Sequence, residues 1–559
     1  MKRLVAIVLL VSLAVLPFSS HAQRRKPGKA VASTPATLAK ERGVDQITAA
    51  QMSAYLGFIA SDEMEGRDTP SRGLDTVAKF IAMNLTRWGF KPAGDKDSYL
   101  QRIALKRDRV DASQTRAELN GQPLIVGEDF IPSTAPGSIN SQMVFAGSGW
   151  YVKSKNLDPY KEIDASGKIA VVFASPNALP KGVRFGDLGK QGEDWLNAID
   201  NARKHGVAAL VYVPDFQYLA NWDRNRLRTM ERGSTEVEKF IKPGVTTVPW
   251  IVISPKVATA IFQGERRSAG NLFDENLIGD KERQAPFALN ADKKLSINVT
   301  VKSERLWTQN VVGIWEGSDP VLKDEYVAVG AHYDHVGICA PAAPDPICNG
   351  ADDDGSGTTA LLAMAEALAH AAARPKRSVL FVWHCGEEKD LWGSQYFTDN
   401  PTVPLDHIVT QLNIDMIGRS KKEGDTNTRN RTLTGPNDIY VIGHAMMSTE
   451  LGELSEAVNK NYLNIGYDFR YDDPKDPNRF FYRSDHYNYA RKGIPIIFFF
   501  DGEHEDYHRP GDEPQKIDYQ KMEKVTRTIY LTLWEIGTRA TRPKVDKGLP
   551  VQVTARSAQ

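Results

Sequence analysis

Five side chains able to bind a divalent cation stand, in order, at or just past the ends of apolar runs: His332 after YVAVGA, Asp353 in GADDDGSG, Glu388 after SVLFVWHCGE, Asp415 in QLNID and His508 downstream of IPIIFFFD. Two imidazoles and three carboxylates make a mixed nitrogen and oxygen set that suits zinc, with one carboxylate left over to bridge two ions. A single zinc would not need all five. The chemistry this implies is activation of water by a pair of metal ions. Open α/β sheets collect functional groups in the crevice beyond the carboxyl ends of their strands, so the repeated placement is what a site assembled from distant segments should look like.

Each motif has its own reading. In GAHYDHVG, His332 and Asp334 are two apart and share one side of an extended segment, which lets the Asp334 carboxylate hold the imidazole in the tautomer a metal needs, while His335 points elsewhere. Alone, this pair describes a structural histidine better than a ligand. In GADDDGSG, Asp352, Asp353 and Asp354 precede small residues and a helix start, where Asp is favoured as a cap or in a calcium loop. Three adjacent carboxylates repel one another, and a cation is the simplest compensation. Glu387 and Glu388 follow a strand so apolar that they must lie at its end; neighbouring side chains diverge there, so one can ligate while the other faces the water as a base. Asp415 lies between Ile and Met, surroundings in which an ionised carboxylate needs a partner. Tyr507 is placed to donate a hydrogen bond to a developing oxyanion, and Arg483 to aid substrate or oxyanion binding, with Asp485 and His486 read as structural.

The elements that must position these groups follow from periodicity. From about Ile47 to Leu105 the spacing predicts two helices, the second ending at a glycine. From about Lys106 to Leu289 short β-rich runs such as GKIAVVFASP, AALVYVPD and VPWIVIS are broken by Gly and Pro, with one helix near EDWLNAIDNARKHG. That block holds no concentrated ligand set and reads as an inserted or accessory domain. From about Leu295 to Arg539 strands and helices alternate, and the strands are apolar on both faces. This predicts an α/β fold with a mostly parallel sheet sandwiched by helices. The polar tail from Arg542 is expected to fray.

Composition narrows the rest. The N-terminus carries Lys2 and Arg3, a run from Leu4 to Leu16 that is apolar apart from Ser12, and a small-residue cleavage site at Ser20-His21-Ala22, the pattern of a secretory signal peptide. Residues 23–40 read as a basic, Pro/Ala-rich disordered leader. An exported protein, periplasmic or extracellular, is expected, with no membrane span because no segment reaches the roughly 20 apolar residues required. Lys+Arg and Asp+Glu balance at 70 each, which gives no reason to expect nucleic acid or an anionic membrane as partner. Cys339 and Cys348 either close a small loop or stay unpaired, since spacing does not show geometry. Cys385 reads as a packing residue.

Together, GAHYDHVG, GADDDGSG, WHCGEE, NIDMIG, YRSDHY and DYHRPGD resemble the co-catalytic di-zinc aminopeptidases, metallopeptidase family twenty-eight, which also includes glutamate carboxypeptidases and glutaminyl cyclases. The resemblance covers roughly residues 40–105 and 290–540, and the block between looks like the protease-associated domain often inserted in such peptidases. It implies a peptidase domain in two parts, 41–105 and 290–540, an insert at 106–289 and a tail at 541–559. It further implies two zinc ions: His332 and Asp415 on one, Glu388 and His508 on the other, Asp353 bridging, and Glu387 as general base. In relatives the peptide bond after the bridging Asp is cis, which would fall at Asp353-Asp354. The expected activity is an exopeptidase, most simply an aminopeptidase acting on peptides with a free N-terminus. A carboxypeptidase or dipeptidase of the same fold is the alternative, and a non-catalytic binding or receptor-like protein the minor one. Specificity is carried by loops such as KKEGDTNTRNRT and is not legible.

Overall fold

A computed structural model describes residues 41–245, 247–273, 284–340 and 343–550. The signal peptide and leader expected at residues 1–40 lie outside the described residues. Two sheets, each with its own core, organise the molecule.

The first sheet has ten strands. Those that matter for the site are β1 (Leu100–Val110), β2 (Val301–Trp315), β3 (Tyr326–His332), β4 (Ser378–His384), β5 (Ile408–Ile414), β6 (Asp438–Ile442), β7 (Gly466–Asp468) and β8 (Ile496–Phe500). Across the sheet the order is Ser234–Val237, β1, β2, β4, β3, β5, β8, β6, β7. The centre is parallel: β3 pairs with both β4 and β5, and β5 with β8. Both faces of β3, β4, β5 and β8 are covered, and between their ends the strands are accordingly apolar apart from the buried Thr410, Gln411 and Asn413 of β5. Val327, Val329 and Ala331 of β3 pack under α1 (Ala49–Ile59), α2 (Arg72–Trp88), α3 (Gly355–His370) and α5 (Tyr519–Thr538). Ala328 faces the opposite layer with Phe397, Tyr489 and Ala490. The helix α4 (Thr449–Asn461), which the periodicity reading passed over, completes the first layer through Leu451 and Leu454.

The edge at Ser234–Val237, β1 and β2 is antiparallel, while at the other edge β6 runs antiparallel to β8 and parallel to β7. β1 and β2 form a long ribbon, paired from Val110↔Val301 to Leu100↔Val311. Its mixture of charged and apolar residues suits a half-exposed edge rather than a buried strand.

The second sheet has nine strands, with Gly137–Phe145, Ile169–Phe173, Ala209–Val213 and Trp250–Ile253 parallel at its centre. Its limits differ from those expected. Lys294–Val299, placed by sequence in the second part of the peptidase domain, instead pairs with Arg116–Leu119 and Gly137–Phe145 and belongs to this sheet. Its alternating burial buries Leu295, Ile297 and Val299 in the second core. Conversely, Ser234–Val237 leaves the insert to pair with β1. Just beyond it, Phe240 packs on the first core and Lys239 Nζ donates to Asn400 Oδ1 at 2.8 Å.

The start of the tail is not frayed. Arg542 Nε donates to Glu325 at 2.8 Å, and the Lys544 N–H to Glu450 at 3.0 Å. Asp546 accepts the Thr449 N–H at the start of α4 at 2.9 Å. Among the described residues no helix is long and apolar enough to cross a membrane.

Candidate metal centre

The carboxyl ends of β3, β4 and β5 open on one crevice, and the five predicted ligands converge there. His332 is the last residue of β3 and is 1% exposed. Its Nε2 lies 3.3 Å from Asp353 Oδ1 and 3.6 Å from Asp415 Oδ1. Asp353 Oδ2 lies 3.1 Å from His508 Nε2, which is also 3.1 Å from Glu388 Oε2. Asp353 therefore stands between two groups, one imidazole and one carboxylate on each side.

The loops supply these groups in different ways. Glu387 and Glu388 enter a short turn two residues after Cys385 leaves β4, and Asp415 follows β5 directly. The aspartate triplet divides its work. Asp354 caps α3 by accepting the Gly357 N–H at 2.8 Å, and also accepts the N–H groups of Met416 and His332. Asp352 accepts the Gly418 N–H at 2.7 Å. Mutual repulsion in the triplet is thus relieved for these two by main-chain donors, and only Asp353 enters the centre. The Asp353-Asp354 bond is cis. The Asp512 carboxylate holds this turn from beneath, accepting the N–H groups of both Asp352 and Asp353 at 3.1 Å.

Two expectations need correction. The Asp334 carboxylate does not hold the His332 tautomer: His332 Nδ1 lies 3.1 Å from the Asp334 main-chain oxygen and 3.6 Å from its carboxylate. β3 ends at His332, so the two-residue alternation that would place both side chains together no longer applies. The Asp334 carboxylate instead accepts the Glu387 N–H at 3.2 Å and the Thr69 hydroxyl at 3.0 Å, and so fixes the Glu387 turn. His335 does not point away either. Its ring folds back under Gly350, where a Cβ would come within 2.4 Å of the ring and where φ is +58°, so only glycine fits. Its Nδ1 comes to 2.9 Å from Glu388 Oε1 and 3.6 Å from Asp353 Oδ2.

Sequence reasoning also missed a brace from the N-terminal segment. Arg67, fully buried, donates to the main-chain oxygens of Ile59, Tyr333, Asn349 and Gly350. It thereby ties the His332 loop to the Asp353 loop. Thr69 Oγ1 accepts the Gly386 N–H, and Lys389 Nζ pairs with Asp68 at 2.8 Å, which adds the Glu388 loop. No local signal marks Arg67, because an arginine in a polar stretch reads as solvated. Cys339 and Cys348 are disulfide-bonded across the hairpin between His335 and Asp353, with Cα atoms 5.8 Å apart. Cys385 is free and buried, and burial pushes its thiol up.

Electrostatics mark the centre as a cation site. Burial works against ionisation of Asp353, yet the His335, His332 and His508 imidazoles hold it well below the usual carboxylate range. Glu388 is likewise lowered to about 2, against burial and the neighbouring Asp353 carboxylate, by His335 and His508. Glu387 goes the other way: burial, then the neighbouring Asp415 and Glu388 carboxylates, raise it well above its ordinary value. Burial and Asp353 raise Tyr507, whose ring stacks on His508 at 3.9 Å, so it remains a neutral donor. Arg483 pairs with Glu503 at 2.8 Å beside it. Asp485 and His486 lie in the packing below, where His486 Nε2 meets the Phe481 oxygen at 2.8 Å. Four buried atoms facing the centre, His332 Nε2, His335 Nδ1, Asp353 Oδ2 and Glu388 Oε1, have no hydrogen-bond partner. Two sets within it have the spacing of cation ligands, His332 with Asp353 and Asp415, and His335 with Asp353 and Glu388. The adjoining cleft is walled by Leu391, Met416, Phe480, Phe498 and Phe500, with Arg479 and Arg483 also lining it.

Comparison with known proteins points to a peptidase family. Residues 310–533 match Peptidase family M28. Leupeptin-inactivating enzyme 1 of Streptomyces exfoliatus is 28% identical over 208 residues, 37% of this chain and 38% of that protein. Aminopeptidase YwaD of Bacillus subtilis (strain 168) is 24% identical over 286 residues, 50% of this chain and 55% of that protein. The chain spans from 38% to 56% of the length of the first such relatives. In fold, it is similar to an aminopeptidase from Aneurinibacillus sp. strain AM-1, with a TM-score of 0.52 at 15% identity over 90% of this chain and 97% of that one.

Proposed function

We propose, starting from the match of residues 310–533 to Peptidase family M28, that the chain is an exported aminopeptidase which uses two zinc ions to release residues from peptides with a free N-terminus. The observation that carries this reading is the set of buried, unpartnered donor atoms around Asp353. An unmet buried polar group costs about 1–3 kcal/mol, and cations on the two sides of Asp353 would meet all four. His332 and Asp415 would hold one ion, Glu388 and His508 the other, and Asp353 both.

Zinc, when bound there, supplies the Lewis acidity that makes water nucleophilic near neutral pH and polarises a carbonyl. The chain's own residues do the rest. Glu387, with Oε2 3.9 Å from His332 Nε2 and its N–H fixed by Asp334, takes the proton from water and returns it to the departing amine. Tyr507, kept protonated by burial, donates to the developing oxyanion. Phe480, Phe498 and Phe500 offer the side chain of the released residue an apolar wall. Export is supported by the leader pattern at residues 1–22 and by the Cys339–Cys348 disulfide, which persists in an oxidising compartment. The second sheet and its surroundings form a protease-associated insert.

Glu387→Gln should keep its zinc while turnover falls by about 10²–10⁴-fold; unchanged turnover would remove Glu387 from this role. Arg479 and Arg483 on the cleft wall favour a second reading, a carboxypeptidase or dipeptidase whose substrate carboxylate they receive. Aminoacyl anilides tested against N-acetylated peptides separate the two, because an aminopeptidase rejects the blocked terminus.

A further inference from the structure

We propose that His335 is a third imidazole ligand of the metal centre, its Nδ1 joining Asp353, Glu388 and His508 at the second cation position. This rests on the reading of the cluster as a two-zinc site and adds to it a residue outside the five expected ligands.

Three observations carry it. The ring is fully buried, and neither of its nitrogens has a hydrogen-bond partner. Nδ1 nevertheless lies 2.9 Å from Glu388 Oε1 and 3.6 Å from Asp353 Oδ2, and these two oxygens are themselves unpartnered. Three facing atoms that approach to ion-pair distance without hydrogen-bond geometry are arranged as donors around a common centre. Finally, the ring is not free to turn away. Gly350 closes over it, the His335 N–H is tied to the Arg67 oxygen at 3.2 Å, and the ring meets that of His508 edge-on at 5.5 Å and 78°.

The consequence is an asymmetric pair. The position at His332, Asp353 and Asp415 has one nitrogen donor, while the position at Asp353 and Glu388 has two, from His335 and His508. Imidazole nitrogen favours zinc and later first-row metals over magnesium, calcium or manganese. The second position should therefore fill first in a zinc or cobalt titration of the stripped chain.

The test counts imidazoles directly. The full-length chain, stripped by chelator, is titrated with Co(II), and the hyperfine-shifted exchangeable imidazole N–H resonances are counted by proton NMR. Three at full loading are expected, with one lost in His335→Gln. Zinc competition against a chromophoric chelator should show His335→Gln weakening one of two ions at least tenfold while the other is unchanged. Two resonances in a wild-type chain that holds two ions would overturn the assignment of His335 and leave the two-zinc reading standing. A wild-type chain that binds no cobalt or zinc would overturn both. The wild-type count needs no variant to fold.

Discussion

Two sheets in this chain share the same texture at their centres, parallel strands buried on both faces, yet only one of them carries a site. The ends of β3, β4 and β5 present His332, Glu387, Glu388 and Asp415, and of these His332 Nε2 and Glu388 Oε1 are buried without a hydrogen-bond partner. The ends of Ile169–Phe173, Ala209–Val213 and Trp250–Ile253 present polar groups too, and these are satisfied locally. Ser175 Oγ accepts the Asp215 N–H, Asp215 caps a short helix through Tyr218, and Ser254 caps the next through Val257. Among the described residues, both candidate cation groups lie on the first sheet. The sheet architecture is thus a permissive frame; a centre arises where polar groups at strand ends are left for a ligand to satisfy.

The contrast can be broken at several strengths. Asp353→Ala takes the one carboxylate shared by both sides and should cost both cations and all measurable turnover, read by metal analysis and anilide hydrolysis; retention of either ion would contradict its bridging position. Arg67→Ala leaves four main-chain oxygens buried without a donor and should destabilise the first sheet and its helices by about 4 kcal/mol or more. Thermal unfolding should show that loss, with a smaller one in Arg67→Lys. Cation uptake should also expel protons. Against the pull of burial, Asp353 and Glu388 raise His508 to about 10, so in the metal-free chain its ring carries a proton near neutral pH that ligation must remove. Zinc affinity should therefore rise with pH through that range and fall as pH drops. Titration calorimetry in buffers of different ionisation enthalpy should register net proton release at pH 7, and no release would contradict it. The smallest effect belongs to the second sheet. Asp215→Ala should cost about 1 kcal/mol of helix capping and leave zinc content untouched.

Much of the centre is legible in the sequence because an ionisable residue adjoining a run such as SVLFVWHC can only stand where the strand ends. The apolar runs announce a sheet covered on both faces for the same reason. What is not legible depends on the chain after it leaves the strand. The alternation that places Asp334 beside His332 stops with β3, and His335 turns inward only because Gly350 and Arg67, distant in sequence, shape the space around it. The β1–β2 ribbon carries charges along a half-exposed edge and has no clean period, and Lys294–Val299 shows its allegiance only through its partners in the second sheet. Arg67 is buried because four carbonyls from separate segments converge on it, which no local pattern records.

The most direct test is a crystal of the zinc-loaded chain measured at the zinc absorption edge. Two anomalous peaks flanking the Asp353 carboxylate are expected, one beside His332 and Asp415 and the other beside Glu388 and His508. A single peak, or none within reach of Asp353, would contradict the account.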